Sequence, residues 1–183
     1  MAVRNKTIWN PKTGQGIRFI QTAKDTAGAL LEMESTFAAK SKEPPAHYHP
    51  CQDEDFTVLS GELTVKIDGH VKTLRHGDNL LISRNTVHAM WNSSEGPTVV
   101  NWKVRPAMNS ENLFETFTGL AADNKTNEDG VPGILQAALT VHAFSREFRL
   151  EKPSYLVQRV IFGILTPIAI LLGYKPVYKK YLD

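Results

Sequence analysis

His47 and His49 lie one residue apart in a stretch rich in turn formers and short apolar runs. Side chains on an extended segment repeat every two residues, so both imidazoles point to the same side and can grip one ion. Glu54 follows on what reads as the next strand, opening the run Glu54-Asp55-Phe56-Thr57-Val58-Leu59, and a carboxylate can swing onto the same centre. A second block, residues 77–92, offers His88 on a strand preceded by a turn. Three neutral imidazoles and one carboxylate suit one divalent transition metal ion (Mn, Fe, Ni, Cu or Zn) better than Ca or Mg, which prefer all-oxygen shells. A six-coordinate ion would keep two positions for water, substrate or dioxygen, whereas tetrahedral Zn would be nearly closed and structural. With one carboxylate against a divalent ion the site stays net positive, which favours an anionic or deprotonated substrate oxygen such as an enolate, phenolate or carboxylate.

For a lone histidine, packing or hydrogen bonding inside the fold is the better explanation, and His70, His76 and His142, which lack motif support, are assigned to the surface or to satisfied partners. The four candidate ligands differ because they recur at two coordinated spacings. Asp53 and Asp55 flank Glu54, and strand alternation turns them away from the ion. Cys51 is near the motif but has no cysteine partner in the chain. Phe56 and Val58 share the inward parity of Glu54, and Met90 that of His88, so these three are the candidate apolar walls of a substrate pocket, with ordinary core packing as the alternative. Tyr48 should point away.

The pattern His47-x-His49-x4-Glu54-x6-Gly61, followed by Gly77-x5-Ser83-x-Asn85-x2-His88-x3-Asn92, resembles the two motifs of the cupin superfamily. That resemblance spans about residues 30–105, with bounds good to ~2–4 residues. It implies a mainly β fold, a double-stranded β-helix or jelly-roll barrel, with His47, His49, Glu54 and His88 as metal ligands inside it. The family's leading glycine is Ser41 here, and the proline and glycine of the second motif are Ser83 and Asn85. Asparagine tolerates positive φ better than most residues, so Asn85 can keep that turn.

The elements that must position these residues read as many short strands. Residues 7–9, 16–20 and 29–37 are extended, and Leu63-Thr64-Val65-Lys66-Ile67 and Val71-Lys72-Thr73-Leu74 flank Asp68-Gly69, a pair that favours a two-residue hairpin turn. Residues 79–83, 87–92 and 98–104 supply further strands, and Pro106 ends the series. The period then changes. Leu113, Phe114, Phe117 and Leu120 predict a helix over 110–124, a second helix is predicted over 134–148, and a third from about 153 to Gly173, kinked or split at Thr166-Pro167. The expected domains are a β-barrel over 1–107 and an α-helical C-terminal extension over 108–183, packed on the barrel or at an oligomer interface.

A chain of 183 residues, 42% hydrophobic, can bury a real core, and a net charge of +2 gives no broad basis for nucleic-acid binding. A single cysteine excludes an internal disulfide framework, and the first residues are not followed by the apolar run of a signal peptide. The expected location is cytoplasmic. From Arg149 onward six bases face two acids, 6 − 2 = 4, beside Tyr174, Tyr178 and Tyr181. The apolar run 160–172 is short of the ~20 residues of a spanning helix, which leaves a packed helix, a homodimer interface or peripheral membrane contact. The functional expectation is a metal-dependent small-molecule enzyme of oxygenase type, with Glu54 as ligand and proton acceptor. A metal-dependent isomerase or cyclase, and a non-catalytic binding or sensor module, are the competing readings.

Overall fold

The structure, a computed structural model, describes residues 2–182. Ten strands precede the first long helix: β1 (Thr7–Asn10), β2 (Gln15–Gln21), β3 (Leu31–Phe37), β4 (His47–Tyr48), β5 (Asp53–Ser60), β6 (Glu62–Ile67), β7 (His70–Arg75), β8 (Asn79–Ile82), β9 (His88–Trp91) and β10 (Thr98–Arg105). After them come α1 (Ser110–Ala122), α2 (Ile134–Ala143), β11 (Arg149–Leu150) and α3 (Tyr155–Leu171). The strands form two antiparallel sheets, ordered β1-β2-β3-β10-β5-β8 and β11-β4-β9-β6-β7.

Alternation builds the layer between the sheets. On β5 the buried set is Glu54, Phe56 and Val58, while Asp53 and Asp55 face outward, where they pair with Arg84 at 2.8 Å and Arg105 at 3.9 Å. Phe56 and Val58 meet Leu63 and Val65 of β6, Leu80 and Ile82 of β8, and Val100 of β10 in one apolar cluster contributed by both sheets. Burying such side chains is worth roughly 1.5–3 kcal/mol each. The hairpin β6–β7 turns at Asp68 (φ 46°) and Gly69 (φ 85°), the left-handed pair that a two-residue turn requires. Asn85 does adopt positive φ, at 65°.

Two expectations about the helices need correction. The helix predicted over 134–148 stops at Ala143, because residues 147–150 are drawn into other bonds: β11 pairs with β4, setting Arg149 opposite Tyr48 and Leu150 opposite His47. Tertiary pairing overrides local helix preference there. Of the kink or split predicted at Thr166-Pro167, the split does not occur, and α3 runs on through Pro167. Proline withdraws one donor from the Gly163 carbonyl, and both residues lie on the exposed side of the helix, where water can reach the freed carbonyl.

Gly61 alone joins β5 to β6 and so carries the chain from one sheet to the other. Its φ is +76°, and a Cβ there would come within 2.6 Å of the Pro97 carbonyl and 2.9 Å of Thr98 Oγ1. Gly61→Ala should therefore destabilise the protein by about 1–3 kcal/mol, from positive-φ strain and backbone crowding. Urea unfolding with an unchanged slope and a lower midpoint would report it; an unshifted midpoint would mean the crossover relaxes freely.

Candidate metal centre

The histidines come from one sheet and the carboxylate from the other. His47 on β4 stands opposite His88 on β9 in the strand register, and His49 follows two residues later on the same side. The candidate ligand atoms of the three imidazoles lie within 4.8 Å of one another. Glu54 on β5 sends Oε2 to 3.0 Å from His88 Nε2 and 3.3 Å from His49 Nε2. Thus the three imidazoles cluster and Glu54 reaches two of them, although β4 and β5 belong to different sheets.

Each imidazole is oriented by its far nitrogen. His47 Nδ1 lies 3.1 Å from the Pro45 carbonyl, His49 Nδ1 2.6 Å from that of Glu147, and His88 Nδ1 2.9 Å from that of Thr86. A carbonyl only accepts, so in each pair Nδ1 carries the proton and donates it, and the neutral ring then shows a lone pair on Nε2. Trp102 Nε1 donates to Glu54 Oε1 at 3.0 Å, leaving Oε2 for the centre. His49 Nε2, His88 Nε2 and Glu54 Oε2 are buried yet make no aligned hydrogen bond, a costly state unless something else sits between them. Ligands about 2.1 Å from one ion and about 90–109° apart are separated by roughly 3.0–3.4 Å. The 3.0 and 3.3 Å separations of Glu54 Oε2 from His88 and His49 fall in that interval, and the His-rich cluster could hold a first-row divalent ion.

Charge at the site follows from its burial. Desolvation of the His47 ring among His88, His49 and Phe148 pulls its pKa down to about 3, the neighbouring imidazoles adding to the effect, even though the residue keeps a partly exposed edge. Burial also disfavours the charged form of His49, but the Glu54 carboxylate outweighs it and raises the pKa above the usual histidine value. Burial would raise Glu54; His49 and His88 instead hold it well below the ordinary carboxylate range.

The other residues named from sequence separate. Phe56 and Val58 are fully buried in the core beneath the site, and Phe56 stacks on Trp102 with ring centres 5.5 Å apart. Met90 is half-buried and, with Ala46 and Phe37, lines an open cleft of about 1000 Å³. Cys51 is a free, half-buried cysteine outside the cluster. His70, His76 and His142 are exposed.

A model of the cupin domain matches residues 33–103 of the chain. An uncharacterized protein of Aquifex aeolicus is 41% identical over 100 residues, an alignment covering 48% of this chain and 80% of that one. The chain belongs to the cupin superfamily. A protein named as an oxidoreductase, from Arthrobotrys oligospora, is 27% identical over 158 residues, 76% of this cupin and 60% of the relative. This chain thus spans less than two thirds of that relative's length. A solved structure from Thermotoga maritima, described as a predicted oxalate decarboxylase, superposes with a TM-score of 0.50 at 16% identity, covering 58% of this cupin and 99% of that chain. At that identity the likeness concerns the fold alone.

Two contributors to the site of this cupin escaped sequence reasoning. Trp102 shares the inward parity of Val100 and Val104 on β10, a signal that could have marked its indole N–H as a buried donor. Segment 147–150 gave no such signal. Its Glu147 carbonyl accepts from His49, the Glu147 carboxylate accepts from Asn109 at the start of α1, and Phe148 lies 4.8 Å from the His47 ring, tilted 31°. Phe148 also packs on the α2–α3 cluster of Ala138, Val141 and Phe162.

Phe148→Ala should loosen the Glu147 carbonyl and the His47 ring together, and so weaken divalent-ion affinity about tenfold, as loss of outer-shell support does. Competition titration against a chromophoric chelator measures it, and an unchanged affinity would show that the segment does not support the imidazoles. A proton on His49 competes with a metal, so apparent affinity should fall as pH drops through a pKa above 6.5, by up to about tenfold per pH unit below it, with Glu54 still ionised. The same titration at pH 8, 7 and 6 reads this; a flat profile would exclude His49 as the competing site.

Proposed function

We propose that this cupin is a metal-dependent oxidoreductase of oxygenase type, acting on an organic substrate that carries an anionic or enolisable oxygen. The observation that carries the reading is a cluster of three oriented imidazoles with Glu54 Oε2 3.0 and 3.3 Å from two of them, in which His49 Nε2, His88 Nε2 and Glu54 Oε2 are buried without an aligned hydrogen bond. The oxidoreductase name of the Arthrobotrys relative supports the reaction class. In this reading His47, His49, Glu54 and His88 hold one ion inside a closed double-stranded β-helix barrel. A bound first-row ion would supply Lewis acidity toward a substrate oxygen and, if redox-active, a partner for dioxygen.

The chain's own groups do the remaining work. The carbonyls of Pro45, Glu147 and Thr86 hold the proton of each ring on Nδ1 and aim Nε2 inward, so binding requires little reorganisation. Glu54, ionised and anchored at Oε1 by Trp102, is the nearest base for a substrate proton. Met90, two residues after His88 on β9 and half-buried, supplies an apolar surface for the organic part of the substrate. One carboxylate against a dication leaves positive charge, which favours the deprotonated substrate.

His47→Ala and His88→Ala should each lower bound metal, measured by elemental analysis after purification and reconstitution, from near one equivalent to a small fraction. Unchanged metal in both variants would sink the site assignment. With the site loaded, metal-dependent oxygen uptake on phenolic, diketone or keto-acid substrates is the expected activity. Metal-dependent turnover without oxygen uptake would instead assign an isomerase or cyclase.

A further inference from the structure

The helix α3 turns only a narrow face to the protein. Gln158, Phe162 and Ala169 are its buried residues, spaced along one side. At about 100° per residue, Val160, Ile164 and Leu171 fall on the opposite side, 55–86% exposed. Val157, Ile161 and Ile168 extend the exposed apolar surface to one flank and Ile170 to the other, so it covers roughly half the circumference. Over about 18 Å of helix after Arg159 no charged side chain interrupts it, and the next is Lys175 beyond the helix end.

Positive charge brackets this face. Lys152 and Arg159 precede it, Lys175 and Lys179 follow it, and Glu151 is the one acid in the sequence from 149 to 182. None of these four cations makes an ion pair among the described residues. Lys180, by contrast, is held by Asp123. Exposed Tyr174 stands at the C-terminal end of the apolar face, a residue type suited to the boundary between headgroup and hydrocarbon.

We propose that α3 docks this cupin on an anionic phospholipid bilayer, lying in the membrane plane with its apolar half among the acyl chains and the four bracketing cations on the headgroup phosphates. The helix does not span, since no helix among the described residues is long and apolar enough to cross a membrane. Two features favour lipid over a second copy of the chain. One partner helix packs along a narrow coiled-coil seam, which would leave much of this face in water, whereas acyl chains cover all of it. In a symmetric pair of α3 helices, parallel or antiparallel, the bracketing cations would also face one another without acids between them. An anionic surface satisfies the same charges, each cation strengthening attachment.

The test uses the full chain with sucrose-loaded vesicles of phosphatidylcholine alone and of phosphatidylcholine with phosphatidylserine. Cosedimentation should be strong on the mixed vesicles, weaker on the neutral ones, and reduced by salt. Removing charge with Lys175→Gln or Lys179→Gln should lower partitioning about fivefold each at low salt. The pair Ile164→Asp and Ile168→Asp, both at exposed positions, should abolish binding while leaving metal affinity intact, which shows that the variant is folded. Three results would overturn the proposal: no sedimentation above the vesicle-free control, equal binding by the double Asp variant, or no vesicle binding together with a dimer mass that the double Asp variant reduces to monomer. The last would assign the face to a second copy.

Discussion

Four polar side chains aimed at one buried point are expensive unless each is held on its outer side and satisfied on its inner side. The outer side is provided by backbone carbonyls for three imidazoles and by the Trp102 indole for the carboxylate. Much else in the molecule follows from delivering those partners. Pro45 and Thr86 lie two residues from the histidines they orient, so short local turns suffice there. Glu147 is 98 residues from His49, and its arrival requires the chain to return to the sheet after two helices.

That return explains the construction of the segment after the tenth strand. A two-residue strand is a weak element by itself, yet β11 seats Leu150 opposite His47, while Phe148 bridges the ligand rings and the α2–α3 cluster. On the other sheet, Trp102 has a parallel role. It stacks on Phe56, touches Phe114 of α1 with ring centres 4.9 Å apart, and donates to Glu54. Both sheets therefore couple ligand geometry to helices that lie outside the ligand motifs. The orientation of the centre depends on packing contributed by nearly the whole chain.

The electrostatics point the same way. A buried triad of imidazoles cannot all be protonated beside one carboxylate, and His47 is kept neutral by desolvation and by its neighbours. His49 and Glu54 stabilise one another's charges. A divalent ion held there would replace the proton on His49 with a stronger positive centre, so proton and metal would compete for one position.

Local periodicity made much of this legible. Alternation placed His47 and His49 on one side and turned Asp53 and Asp55 away, Asp68-Gly69 announced its hairpin, and the 3.6-residue spacing located α1, which runs from Ser110 to Ala122. These signals survive because each concerns neighbours within a strand, a turn or a helix. The early end of α2, the continuity of α3 through Pro167, and the parts taken by Trp102, Glu147 and Phe148 were not legible. Phe56 and Val58 were inward by parity, but parity could not say whether inward meant core or pocket wall, and the opposing sheet made them core. Residue types and spacing determined which four side chains could share an ion. Only the tertiary structure decided how their rings are aimed, because a carbonyl 98 residues away is chosen by long-range strand pairing and packing, and no local sequence period encodes that.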